Sequence, residues 1–146
     1  MIKRFFFGLG IIVVATAIMH ACNISVLPAF ASTVFTIIGI FFSIGYSSAL
    51  SFDYRAIVND EYALRIRGEV KKVTRSFTLA LFLAAGAFCV LSFIDNSFFV
   101  GLPVIMIKNL CGMTLLYILF YLVYNFYRLE RFKYDLDDKI RKEKKN

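Results

Sequence analysis

The residues whose side chains could carry out chemistry are few in this chain and widely spaced. His20 is the one histidine, and the three cysteines, Cys22, Cys89 and Cys111, lie in or beside apolar runs. Their spacing gives neither a Cys-x-x-Cys pair nor a mixed His/Cys ligand set, so we expect small packing thiols and no metal site. The sequence also lacks a Gly-rich phosphate loop and a Ser/His/Asp set. We therefore predict that the protein is not an enzyme and has no catalytic residue, cofactor or metal.

Two polar residues fall inside apolar runs and are the predicted intramembrane polar residues. Lys108 is a functional candidate by default, because charges within membrane segments are rare. Its position near the start of a run lets the amine extend toward the membrane surface, with Asp95 across a turn as a partner. Tyr117 lies deeper, and its hydroxyl needs a polar partner, for which a hydroxyl on the second helix is the candidate. Asp and Glu are absent from the apolar runs, which argues against a proton-coupled transporter.

The elements that must position these residues are predicted to lie in a membrane. Of 146 residues, 60% are hydrophobic, 18% are charged and 17 are phenylalanine. Soluble domains are about half apolar and about a quarter charged. A spanning helix takes about 20 residues, so this chain is long enough for four. We predict an all-α membrane protein with four transmembrane helices, arranged as two helical hairpins joined by a charged cytoplasmic segment.

The charge pattern gives approximate limits for these elements within a single polytopic domain, residues 1–146. No charged residue occurs from Phe5 to Phe52, a stretch too long for one span and right for two. Asn23 and Pro28 mark the turn between them. The predicted spans are about 5–22, 29–50, 76–94 and 102–127, with a charged segment at 51–75 and a basic tail at 128–146. Cleavage of the first helix as a signal peptide is the alternative.

Small residues at helical spacing predict close helix packing. Gly39 and Ser43 are four residues apart in the second span, and Ala80, Ala84 and Ala87 form a stripe in the third. Such faces let helices approach closely, within a bundle or in an oligomer. A polar pathway along the Ser/Thr-rich second span is the alternative interpretation.

The distribution of basic residues predicts the topology. All of the 17 lysines and arginines except Lys108 fall on one side of the four predicted spans. The positive-inside rule makes that side cytoplasmic. We therefore predict a multi-pass protein of the inner (cytoplasmic) membrane with both termini in the cytoplasm. Basic residues beside apolar runs attract anionic lipid headgroups, which explains the net charge of +7 without nucleic acid. The predicted cytoplasmic docking residues are Arg65, Arg67, Lys71, Lys72 and Arg75.

Three classes of function fit these features. The first is a non-enzymatic, small bacterial inner-membrane protein that acts through helix–helix and cytoplasmic partner contacts. It would be a homo-oligomer or bind a membrane protein, and immunity proteins and phage-defence components share this architecture. The second is an oligomeric pore-forming membrane effector, lined by the second span and Lys108. The third is a small carrier or flippase for lipid-linked sugars, in which Lys108 and Arg128 fit loosely, although the expected Asn-Arg-x-Trp ending is absent.

Overall fold

The computed structural model describes residues 2–22, 24–51, 60–94 and 102–143. These residues form four α-helices and the short connection between the first two. The helices are α1 (Ile2–Ala21), α2 (Pro28–Leu50), α3 (Asp60–Phe93) and α4 (Leu102–Glu143). Within the described ranges α2, α3 and α4 are long and apolar enough to cross a membrane, whereas α1 holds a shorter apolar stretch, Gly10–Met19. The prediction of an all-helical, membrane-type protein is confirmed to this extent.

Local sequence explains where α2 begins, and α3 and α4 are both longer than a membrane span. Leu27 precedes α2 in an extended conformation, and Pro28 occupies the first turn, where its missing N–H costs no hydrogen bond. α3 has 34 residues and α4 has 42, or about 50 and 60 Å at about 1.5 Å per residue. The hydrocarbon core of a bilayer is about 30 Å thick. Each helix is therefore longer than a bilayer and continues into charged sequence.

α2, α3 and α4 form a three-helix bundle in which each helix packs against the other two, while α1 packs mainly on α4. The bundle core is apolar, and its largest fully buried side chains include Ile38, Phe77, Leu115 and Leu122. Phe77 lies over Gly45 of α2, in the space that a Cβ atom at that position would occupy. The glycine therefore lets α2 and α3 approach closely around a buried aromatic ring.

The contacts between helices fix their relative directions. Ser48 of α2 bonds to Glu130 of α4 and Val26 bonds to Asn109, so these two helices run in parallel. Ser76 of α3 bonds to Tyr121 of α4, while Ile66, earlier on α3, packs with residues later on α4, so that pair is antiparallel. α1 is also antiparallel to α4. As a result, the start of α1, the end of α2, the start of α3 and the end of α4 lie at one end of the bundle.

At that end α3 and α4 continue as a packed pair, which we call the stalk (residues 60–75 of α3 and 128–143 of α4). A second apolar cluster holds it together, distinct from the bundle core but joined to it through Val73, which packs against both. Its buried members are Ala49, Ile66, Val70, Leu129 and Leu136, with Tyr62, Phe132 and Ile140 packed around them. Apolar residues at spacings of three and four on both helices thus form a core within an otherwise charged segment.

Candidate functional site

The residues predicted to pack helices together divide into two groups. Ala80 and Ala84 are buried in the bundle core, and Ala87 packs against it. Gly39 and Ser43 face away from the bundle, and a Cβ added at Gly39 would meet no atom within 4 Å. The alanine stripe therefore serves the fold of one chain. Gly39 and Ser43 are open to lipid or to a second protein.

The outward face of α2 carries hydroxyl groups whose protons are bonded within the helix. Thr33 donates to the carbonyl of Ala29 at 2.9 Å, and Ser43 donates to that of Gly39 at 2.9 Å. Thr36 makes the same contact with the carbonyl four residues before it. Because these donors are satisfied locally, the face can lie against lipid or another helix without water.

The intramembrane polar residues lie on α4 at different depths. Lys108 is half-buried in the second turn of the helix and is engaged with a neighbouring group, while Asp95, its predicted partner, lies outside the described residues. Tyr117 is half-buried against Gly8 of α1 and stacks on Tyr121, with ring centroids 6.5 Å apart. The hydroxyl-to-hydroxyl contact between helices is made one turn further along, between Tyr121 and Ser76 of α3.

The five predicted docking residues are all exposed on the α3 half of the stalk, but they face different surroundings. Lys72 forms an ion pair with Glu69 at 2.6 Å. A hydrogen bond from the Lys72 ammonium, and its charge, lower the pKa of the Glu69 carboxyl below the usual value. Arg65 lines neither of the two clefts described next. Only three of the five therefore share a surface.

Arg67, Lys71 and Arg75 line an open cleft of about 790 Å³ between α3 and the end of α2. We call it the α2–α3 cleft. Its other described lining residues include Leu50, Leu64 and two threonines, and none of these carries a carboxylate. Within the described part of the chain, none of the three basic groups forms an ion pair. The described lining of the cleft thus concentrates positive charge beside apolar side chains.

A second, smaller cleft of about 270 Å³ lies between α3 and α4. Its lining residues include Lys72, Glu69 and Arg128, and the hydroxyl pair of Ser76 and Tyr121. The carboxylate offsets one of the two cations, so this cleft carries less net positive charge than the α2–α3 cleft.

Asn109 is a buried polar residue that the sequence analysis did not single out. It lies on α4 with its side chain fully buried. Its Oδ1 accepts a hydrogen bond from the backbone N–H of Val26 at 3.1 Å, and its Nδ2 donates to the carbonyl of Ile24 at 2.7 Å. One amide side chain therefore satisfies both polarities of the backbone between α1 and α2, where helical hydrogen bonds are missing.

The same turn of α4 accepts the Val26 side chain. A Cβ atom at Gly112 would overlap the methyl groups of Val26, which is itself 9% exposed. We call this arrangement the clasp (Asn109 and Gly112 of α4 around Val26). It fixes the position from which α2 starts.

The opposite end of α2 is held by two polar contacts to the stalk. The Ser48 hydroxyl donates to the Glu130 carboxylate at 2.5 Å, and the Lys133 ammonium donates to the Ser51 hydroxyl at 3.1 Å. α2 and α4 are therefore joined near both ends, by the clasp and by these serines.

The fold and surfaces define a class: an all-helical protein of the membrane type, with a charged stalk at one end of a three-helix bundle. Among the described residues, no group of three His, Cys, Asp or Glu side chains could hold a metal ion. No family model matches the chain, and no curated protein or solved structure matches it either. The surfaces themselves are the basis for assigning a function.

Proposed function

We propose that this protein is a small inner-membrane protein of bacterial type that acts without catalysis, by binding a cytoplasmic partner through its stalk. The observation that carries this proposal is the stalk's own apolar core, with Ile66, Val70, Leu129 and Leu136 buried outside the bundle. A segment that merely ended two membrane helices would not need such a core. Packing makes the stalk a rigid platform, and a rigid surface loses little entropy when it binds a partner.

The proposed topology has four spans, arranged as two hairpins, with α1 as the fourth span beside α4. Both termini and the segment at 51–75 lie on the cytoplasmic side. Support comes from the helix directions, which bring the basic residues of α3 and α4 other than Lys108 to one end of the bundle, and from the positive-inside rule.

The surface of the stalk offers features that interfaces use. Tyr134 is 71% exposed on the α4 half, and Leu64 is 68% exposed on the α3 half. Arg131 is exposed one turn before Tyr134. Tyrosine and arginine are enriched among the residues that dominate binding energy. A partner with an acidic surface and an apolar recess for the tyrosine would complement these groups.

The membrane part would add lateral contacts through the outward face of α2. Gly39 lies at the centre of this face with open space above it, so a helix of a second copy or of another membrane protein could approach its backbone. Immunity proteins and phage-defence components share this architecture of a few membrane spans with small, basic cytoplasmic parts, and we propose that the protein is of that type.

The stalk is tested by photocrosslinking in living cells. A photoreactive amino acid replaces Tyr134, and the matched control carries it at Phe120, which is 69% exposed on the same helix but within the apolar run. We expect a discrete adduct with a cytoplasmic protein from the stalk position only. Arg131→Glu in the same background should remove the adduct. Equal labelling of soluble proteins at both positions, or an adduct insensitive to the charge reversal, would contradict the proposal.

Membrane potential separates this function from the pore-forming alternative. The hydroxyls of the outward face of α2 already donate within their own helix, which favours contact with lipid or protein over a water-filled lumen. We expect a voltage-sensitive dye to report no change when the chain is expressed. Depolarisation that disappears on replacing Ser43 and Lys108 would establish a pore instead.

A further inference from the structure

We propose that the α2–α3 cleft is a binding site for one anionic phospholipid, whose phosphate is held by Arg67, Lys71 and Arg75. This site shares Leu64 with the surface of the stalk but includes neither Tyr134 nor Arg131, the residues through which the partner-binding function is tested, and its existence does not depend on that function. The inference rests on the charge of the cleft, its place along the helices and the apolar surface that continues from it.

The charge of the cleft calls for an anion. Arg67, Lys71 and Arg75 are spaced four residues apart on α3, and like charges at this spacing repel one another. None of the lining residues within the described ranges is acidic. By contrast, Lys72, on the neighbouring face of the same helix, has Glu69 at 2.6 Å. Among the described residues, one basic residue of this segment is neutralised by a carboxylate, and three on one surface remain for an external group.

The donors in the cleft fit a phosphate. Two guanidinium groups and one ammonium can donate charge-assisted hydrogen bonds to phosphate oxygens, and arginine can do so in a bidentate manner. The hydroxyls of Thr74 and Thr78 donate to backbone carbonyls four residues earlier, at 3.0 and 3.1 Å. The basic side chains alone would therefore bind the anion.

The position of the cleft selects a lipid over a soluble anion. It lies where α2 ends and where the uncharged run of α3 begins after Arg75. Leu50 and Leu64, in its walls, are 67% and 68% exposed. Phe82, four residues beyond Thr78 on the same helix, is 71% exposed. A phospholipid can place its phosphate among the cations and its acyl chains along this apolar surface, whereas a free phosphate leaves the surface uncovered. Basic pockets between helices on the cytoplasmic side bind anionic headgroups in this way.

The test is native mass spectrometry of the full chain in detergent micelles with added lipid. The probes are phosphatidylglycerol, phosphatidylcholine and inorganic phosphate. The cleft variant is Arg67→Gln/Lys71→Gln/Arg75→Gln, and the matched control is Arg65→Gln/Lys72→Gln/Arg131→Gln, which removes the same charge from exposed positions off the cleft. All six side chains are exposed, so both variants should retain the helical circular dichroism of the parent.

We expect one phosphatidylglycerol per chain, with phosphatidylcholine bound much more weakly. The cleft variant should bind phosphatidylglycerol about 100-fold more weakly, from about fivefold for each basic residue near a headgroup. The control variant should stay close to the parent. Equal losses in the two variants would mean diffuse attraction and would overturn the site. Inorganic phosphate that competes fully with the lipid would show an anion site without a lipid role, which also overturns the proposal.

Should the triple substitution alter the helical spectrum, Lys71→Glu alone replaces it. Lys71 is the central member of the set, and its reversal places a carboxylate against the phosphate. We expect loss of the phosphatidylglycerol adduct from this variant, and retention of the adduct would overturn the proposal.

Discussion

Replacing Asn109 with leucine should destabilise the protein far more than the same change elsewhere on α4. Leucine has the same number of side-chain heavy atoms as asparagine and the same branching, so the change keeps the outline of the side chain and removes the two hydrogen bonds of the clasp. The Val26 N–H is buried and loses its acceptor, while the Ile24 carbonyl is only partly buried and can turn to water or lipid headgroups.

The expected magnitude follows from these two groups. A buried donor left without a partner costs about 1–3 kcal/mol, and the partly exposed carbonyl adds about 0.5 kcal/mol or less. Hydrogen bonds between membrane helices contribute about 0.6 kcal/mol on average and up to about 1.7 kcal/mol. These values give the lower end of the destabilisation expected for Asn109→Leu. We therefore expect Asn109→Leu to lower the free energy of unfolding by about 2 kcal/mol.

Asn125→Leu is the matched control, on the same helix and with the same chemical change. Asn125 is half-buried, and its Nδ2 donates to the Tyr121 carbonyl at 2.8 Å within α4. That carbonyl keeps its place in the helical hydrogen-bond pattern when the side chain is lost. The expected cost is therefore about 0.5 kcal/mol or less.

The assay is unfolding by a denaturing detergent in mixed micelles, followed by circular dichroism, with hydrogen exchange of the α1–α2 connection as a local readout. Loss of about 2 kcal/mol of local protection should speed exchange at the Val26 amide about 30-fold. Two results would refute the reasoning. One is equal destabilisation by Asn109→Leu and Asn125→Leu, and the other is unchanged exchange at Val26.

Three further predictions concern packing, topology and charge. Gly45→Ala places a methyl group in the space of the buried Phe77 ring and should lower the free energy of unfolding in detergent by about 1–3 kcal/mol. The control Gly39→Ala, whose methyl group meets open space, should leave the stability unchanged or slightly raised. Equal effects of the two variants would argue against the α2–α3 packing. A membrane-impermeant maleimide should label the exposed Cys22 in intact cells. Ser51→Cys, in a background without the native thiols, should be labelled only in inverted vesicles. The reverse labelling pattern would show that the topology is inverted. Because the pKa of Glu69 is lowered in the folded state, its ionised form stabilises the stalk above its unfolded pKa, and this contribution is lost as the pH falls through the lowered value. The melting temperature of Glu69→Gln should therefore lie slightly below that of the parent at pH 7 and coincide with it in acid, and a difference that persists below the lowered pKa would contradict the ion pair.

The membrane helices were predictable because lipid imposes a simple rule on sequence. Uncharged runs of spanning length become helices, since the backbone must satisfy its own hydrogen bonds there. The small-residue stripe at Ala80 and Ala84 likewise indicated a packing face. What the pattern could not give was which partner each face meets: Ala84 is buried within the chain, whereas Gly39 has open space beside it.

Asn109 escaped sequence reasoning because its role depends on a contact with backbone atoms more than 80 residues away. A buried amide pairs with whichever backbone groups lack helical partners, and no local spacing encodes that pairing. The available signal was an amide inside an apolar run, three residues before a glycine. The α2–α3 cleft was hidden for a similar reason, since the five docking residues look equivalent in the sequence and separate only once α2 packs beside α3.

α3 and α4 are continuous through the bundle and the stalk, so a tilt of either helix in the bundle moves the stalk with it. α3 runs from Asp60 to Phe93 as one helix, and its stalk portion of 16 residues spans about 24 Å. A change of about 10° in helix tilt at the membrane would displace the far end of that portion by about 4 Å, with no rearrangement inside it. Tilt depends on bilayer thickness and on lateral neighbours. A change in the lipid surroundings of the helices would therefore displace a protein that is bound at the tip of the stalk.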